Sequence, residues 1–242
     1  MTDVLSTKLE GVNLSEIFLP NQWVLYLYDK QLFKKIANRP GFKAKPHKEI
    51  CKIKTLNDIV FILQLMEIDV DSKTVGSSYK RINLDMNDYI IMRDGIEPIW
   101  EDPKNSNGGT FTIKLPHSKG YDIWSKFITY MIGETLTYDM SHINGITVSY
   151  ISDYNNQSPI NNAMNNYTYI KVWDGKSDRT REQFLSILPF EINEKIKNES
   201  IMYSPNNKKK DFGERKIIDK LSHNKRNNGR ERSGFKTTNR FT

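Results

Sequence analysis

Short apolar runs alternate with polar stretches along the chain, and their periods change from place to place. Trp23-Val24-Leu25-Tyr26-Leu27-Tyr28 is β-branched and aromatic, too apolar for an exposed helix, and predicts a strand. Residues 48–54 alternate Lys48, Ile50 and Lys52 with Glu49, Cys51 and Ile53, a second strand. Thr55-Leu56-Asn57-Asp58 is a capping box that opens a helix to about Met66, with Leu56, Ile59, Val60 and Leu63 on one face. Residues 82–92 predict a strand, and Thr110-Phe111-Thr112-Ile113-Lys114-Leu115 is a clean period-2 strand. Residues 121–133 have helical spacing, with Trp124, Phe127 and Ile128 together and a glycine cap at Gly133. Strands are predicted over 146–150 and 167–173, a helix over 180–188 capped by Thr180, a short strand over 200–203, and a last strand over 237–241. Residues 29–47 read as a basic loop that contains Phe33, Phe42 and Pro46. Strands come mostly in consecutive pairs, which predicts an α+β layer fold with a mainly antiparallel sheet.

Length adds that this is one domain with appendages: a loose segment over 1–17, a single domain over 18–242, an Asn-rich insert at 153–166 and a basic, extended loop at 204–236. The one cysteine, Cys51, excludes an intramolecular disulfide framework and a cysteine metal cluster. Residues 2–8 lack the apolar core of a secretory signal, and no run approaches the ~20 apolar residues of a membrane span, so the expectation is a cytoplasmic protein without a membrane partner. The net charge of +7 is unevenly placed. Residues 206–242 hold twelve Lys/Arg against four Asp/Glu, a local +8 that leaves the rest near neutral. Such a segment is a solvated tail or a sequence-independent phosphate-seeking arm.

The stretch Asp94-Gly95-Ile96-Glu97-Pro98-Ile99-Trp100-Glu101-Asp102 carries the most specific chemistry. Gly95 and Pro98 place Trp100 and Glu101 on a loop after the strand Tyr89-Ile90-Ile91-Met92. A Trp on a polar loop is badly placed for a core, and Glu101 is an acceptor-only group at neutral pH. Together they suit a flat, electron-poor base with N–H donors on its edge. Guanine methylated at N7 is one: an indole attracts its delocalised positive charge, and a carboxylate accepts its two-donor fork.

The same run, followed by Lys104-Asn105-Ser106-Asn107-Gly108-Gly109-Thr110-Phe111, resembles the cap-binding segment of the translation initiation factor 4E family. Pro20-Asn21-Gln22-Trp23-Val24-Leu25, Ile132-Gly133-Glu134, Val172-Trp173 and Thr237-Thr238-Asn239-Arg240-Phe241 resemble further family segments in the right order. The resemblance implies a curved, mainly antiparallel sheet of about eight strands, three helices on its convex side and a cap slot on the concave side. It implies base stacking on Trp100, guanine recognition by Glu101, and Trp173 against the N7-methyl group. Trp23 and Trp124 read as core.

The chain departs from the family in three places. The family's first sandwiching Trp aligns with Lys43, so Phe42, ahead of Phe33, is the candidate second ring. Its phosphate-binding cations align with Ile151, Tyr169 and Thr110, none cationic; Lys171, Lys176, or Lys208, Lys209 and Lys210 of the basic segment are the candidate replacements. Its scaffold-docking Trp aligns with Val60 and two leucines with Ser125 and Thr129, while Leu56 stays apolar. A smaller, more polar patch predicts weaker docking of a factor 4G-like scaffold or a binding-protein helix. The expectation is a protein that binds capped mRNA in translation initiation, with a cap-sequestering repressor as the alternative. An Asn-, Lys- and Ile-rich chain also fits an A/T-rich genome, such as that of a large DNA virus. No Walker loop, glycine fingerprint, His-Glu-x-x-His or cysteine cluster suggests an enzyme, and no cofactor or metal is expected.

Overall fold

The computed structural model describes residues 13–37, 45–65, 84, 86–152, 166–176 and 179–206. Seven strands form one open, antiparallel, curved sheet: β1 Phe18–Asp29, β2 His47–Thr55, β3 Asn87–Arg93, β4 Gly109–Pro116, β5 Ile143–Ser152, β6 Asn166–Asp174 and β7 Ser200–Pro205. Their order is β2-β1-β3-β5-β6-β4-β7. The final strand expected over 237–241 and most of the Asn-rich insert lie outside the described residues.

The helices are α1 Lys30–Ala37, α2 Leu56–Leu65, the single turn α3 Pro103–Ser106, α4 His117–Ile132, α5 Arg181–Ile187 and α6 Phe190–Ile196. Three of them, α2, α4 and α5, follow the predicted periodicities. The capping box of α2 forms: the Asp58 carboxylate accepts from the Lys54 and Thr55 amides at 2.8 and 2.9 Å. Thr180 and Gln183 form the same reciprocal pair at α5. Helices α1, α3 and α6 differ from expectation; residues 29–47 are not simply a loop, because α1 follows directly on β1. Gly133 caps α4 as expected, but in a right-handed conformation with φ of −74°, and the positive φ falls on Glu134, at 56°. A non-glycine residue holds that conformation only where its surroundings fix it. Here Arg93 grips both Glu134 carboxylate oxygens at 2.9 and 3.0 Å and also donates to the Met140 carbonyl.

Strand alternation separates two faces. Trp23, Leu25, Ile53, Phe111, Ile113, Leu115, Ile146, Val148, Ile170 and Val172 point to the helices and join Trp124, Phe127 and Ile128 of α4 in the main core. Trp23 and Trp124 are buried, as expected of core residues. Phe111 stacks on Phe184 at 4.1 Å, which seats α5 against β4. On the other face a small cluster of Ile90, Met92 and Ile96 packs with Tyr26, Tyr28 and Trp173. Thr110, Thr112, Thr147, Ser149, Tyr169 and Lys171 share that face by register, and it is the concave side on which the candidate site lies.

Candidate functional site

The loop from β3 to β4 starts at Gly95, whose φ of +83° is a left-handed turn that side-chain-bearing residues rarely adopt. Ile96 then folds back into the concave cluster, so the rest of the signature is presented from a fixed base. Three buried asparagines brace it. Asn105, 1 % exposed, donates to the carbonyls of Glu97 and Ile99 at 2.9 and 2.8 Å. Its own side-chain oxygen accepts from Asn144, which also reaches the Lys104 carbonyl at 2.8 Å. Asn206 donates to the Asn105 carbonyl at 2.8 Å. Asn144 is free to do this because it is the extra residue of a bulge in β5, between the Ile143 and Gly145 pairs, and bulges re-aim side chains. At Gly108 a Cβ would run into the Asp174 carbonyl, so only glycine lets the loop close onto the end of β6.

Four acids lie in the signature, and three have partners. Asp94 pairs with Lys52 at 3.1 Å. Glu97 pairs with Lys45 at 2.7 Å, and this contact holds its carboxyl below the usual carboxylate range. Asp102 accepts from the Glu97 and Lys104 amides at 2.9 and 2.8 Å and caps α3. Glu101 is exposed and has no hydrogen bond or ion pair among the described residues. Next to it, Trp100 is partly exposed. The loop therefore offers one indole and one unspent carboxylate on consecutive residues.

Trp173 stands on the concave face near the end of β6, packed against the Ile90–Met92–Ile96 cluster. Its Nε1 donates to the Thr147 hydroxyl at 2.9 Å, which fixes the plane of the ring. Register sets Trp173 opposite Gly145 and Thr110. Just beyond it, Asp174 is buried and paired with Arg179 at 3.2 Å. Arg179 also donates to His142 Nε2 at 2.7 Å, which leaves the ring proton on Nδ1, facing Asp139 at 3.5 Å. Burial first, then the Arg179 and Lys176 charges, push His142 down to about 4.

The other expected site residues fall in different places. Phe33 is on α1, its ring 5.7 Å from Tyr28. Phe42, Lys208, Lys209 and Lys210 lie outside the described residues. Lys176 is tied to Asp139 at 3.4 Å. Lys171 is half-buried on the concave face and has no hydrogen bond or ion pair among the described residues. On the convex side Leu56, Val60 and Ser125 are partly buried and Thr129 is exposed. The bracing asparagines were missed at the sequence level. The Asn144-Gly145 dipeptide was a turn-or-bulge signal, but the abundance of asparagine in the chain masked it.

Known proteins match this chain at both levels. The family model described as eukaryotic initiation factor 4E matches residues 18–220. The eukaryotic translation initiation factor 4E homolog of Acanthamoeba polyphaga mimivirus is 56% identical over 253 aligned residues, covering 93% of this chain and 91% of that protein. Among solved structures, C. elegans eIF4E-3 in complex with the 4E-binding protein Mextli superposes with a TM-score of 0.52 at 16% identity, covering 80% of this chain and 95% of that one. Schistosome eIF4E complexed with m7GpppG and 4E-BP superposes with a TM-score of 0.51 at 18% identity, covering 93% of this chain and 97% of that one.

Proposed function

The chain belongs to the eukaryotic initiation factor 4E family, and on that premise we propose that it binds the N7-methylguanosine 5′ cap of mRNA in translation initiation. The observation that carries this reading is Glu101: the one signature acid without a partner among the described residues, beside the partly exposed Trp100. Trp100 stacks on the cationic base, Glu101 accepts its N1–H and amino donors, and Trp173 lies against the methyl group. Phe42 supplies the opposite face of the base. Among the described residues Lys171 is the phosphate-binding cation favoured over Lys176, because Lys176 is already paired. The basic segment from Lys208, Lys209 and Lys210 onward adds a salt-sensitive contribution.

Tryptophan fluorescence titration with an N7-methylated cap dinucleotide and its unmethylated counterpart tests the reading. Binding is expected to require the methyl group; equal affinities would overturn the cation–π account. The proposed protein partner is an amphipathic helix on the convex face. Phe61, 52 % exposed on α2 beside Val60, restores an aromatic anchor to an otherwise reduced patch. The alternative, a cap-sequestering competitor, predicts that a scaffold-motif peptide fails to bind. A role in translation initiation supports a cytoplasmic location. Among the described residues no helix is long and apolar enough to cross a membrane.

A further inference from the structure

Trp173 has one polar atom, and the fold turns it onto the sheet. Register sets Gly145 directly opposite Trp173 and Thr147 opposite Lys171, so Thr147 is a diagonal neighbour of the indole. Diagonal positions on two antiparallel strands are within reach of an aromatic side chain. Gly145 adds no side chain between them, and a Cβ there would run into the Ile91 carbonyl and Met92 Sδ. Trp173 Nε1 donates to Thr147 Oγ1 at 2.9 Å. Thr147 is buried, and a hydrogen bond shielded from water is electrostatically stronger. Packing of Trp173 against the Ile90–Met92–Ile96 cluster is non-directional and does not choose which edge of the ring faces the slot. The bond to Thr147 does.

The consequence lies in what the ring can offer a base. An indole has one donor and no acceptor. Guanine carries an acceptor lone pair at N7, which methylation removes while making the ring cationic. A free indole N–H beside N7 would donate to the unmethylated base and would aim the positive end of its dipole at the methylated one. With that donor held, Trp173 presents carbon and π surface, which attracts the cation and gives the unmethylated base no partner. We propose that Thr147 is a specificity-determining residue, which sets the preference for the methylated base by holding the Trp173 N–H. It acts through Trp173, so the inference rests on the reading of Trp173 as the neighbour of the N7-methyl group.

The test is the ratio of affinities for the N7-methylated and unmethylated cap dinucleotides, by fluorescence titration of the full chain. Thr147→Val keeps the β-branched shape and removes the acceptor. The ratio is expected to fall about three- to tenfold, the scale of one hydrogen bond, with the unmethylated dinucleotide bound more tightly than by wild type. Thr147→Ser keeps the acceptor and should hold the ratio within about twofold of wild type. In a Trp173→Phe background, which has no N–H to hold, Thr147→Val should leave the ratio unchanged; a change there would overturn the route through the indole. An unchanged ratio in a Thr147→Val variant that melts like wild type would overturn the inference, and so would equal weakening of both ligands. If that variant does not fold, exchange of the Trp173 indole proton in wild type decides. Slow exchange, assigned by its absence in Trp173→Phe, supports the bond, and exchange as fast as that of an exposed indole overturns it. Indifference of wild type to N7 methylation would sink the guanine reading and this inference with it, whereas the Thr147 outcomes leave that reading standing.

Discussion

Among the described residues at the Trp100 end of the concave face, every signature acid but Glu101 has a partner, so the unspent charge is negative. At the Lys171 end the only carboxylate among the described residues lining the cavity there, Asp88, is matched by Lys30, so the unspent charge is positive. The two ends therefore present opposite signs on one groove. A ligand with a cationic ring at one end and an anionic chain at the other satisfies both, whereas a neutral nucleobase or a free polyphosphate satisfies one. The ends also differ in construction. The base end is a contiguous loop braced by buried amides; the phosphate end is assembled from four strands and a helix.

The largest test removes the negative end. Trp100→Ala is expected to weaken cap binding by roughly a hundredfold or more, since a desolvated cation–π contact of ~2 kcal/mol and stacking of ~1–3 kcal/mol are lost together. Glu101→Ala should cost ~1.5–3 kcal/mol and relax the preference for guanine. Wild-type affinity in that variant, read by the same titration, would take the free carboxylate out of the comparison.

Bracing is tested at Asn105. Asn105→Ala leaves the Glu97 and Ile99 carbonyls and the Asn144 amide without their partner. A loss of ~1–3 kcal/mol is expected, or a melting point lower by several degrees, with cap affinity falling in parallel. Unchanged melting with weakened binding would mean that Asn105 shapes the loop without holding the fold.

Acid should loosen the end of β6. The native His142 stays neutral down to about 4, while an unfolded histidine titrates near ~6.5. Between those values the unfolded state binds a proton that the native state refuses, so stability falls as pH drops through that window and levels off below it. The loss is about 2 kcal/mol at pH 5, read by chemical denaturation. His142→Gln should flatten the profile; an unchanged slope would assign it to other groups.

The smallest effect concerns the second ring. Phe42→Ala should weaken binding by several-fold and Phe33→Ala hardly at all, because the Phe33 ring rests against Tyr28. The reverse order, measured by titration, would move the second ring to α1.

The base end was legible because its chemistry is contiguous. Gly95 and Pro98 force a loop, and Trp100 and Glu101 follow one another on it whatever the rest of the chain does. Strand periods and both helix caps were legible for the same reason: they depend on neighbours within four residues. Helix α1 was not, because Lys30–Ala37 follows a strand directly, without a capping signal, and lies in a lysine-rich stretch that reads as loop; the helix is fixed by tertiary ties such as Lys30 to Asp88 and Tyr150.

Sequence alone thus determined which residues share the signature loop, which face of each strand is apolar, and where charge is concentrated along the chain. Only the tertiary structure decided which charges remain unspent. Lys171 and Lys176 look equivalent in the sequence, five positions apart. Among the described residues the first is left without an ion pair on the concave face, while the fold sets the second beside Asp139. Likewise Ser149 and Asn144 are ordinary polar residues until a strand register buries one hydroxyl without a partner among the described residues and a bulge turns one amide onto the loop. Coulombic and hydrogen-bond satisfaction depend on distances between residues far apart in the chain, and the fold alone sets those distances.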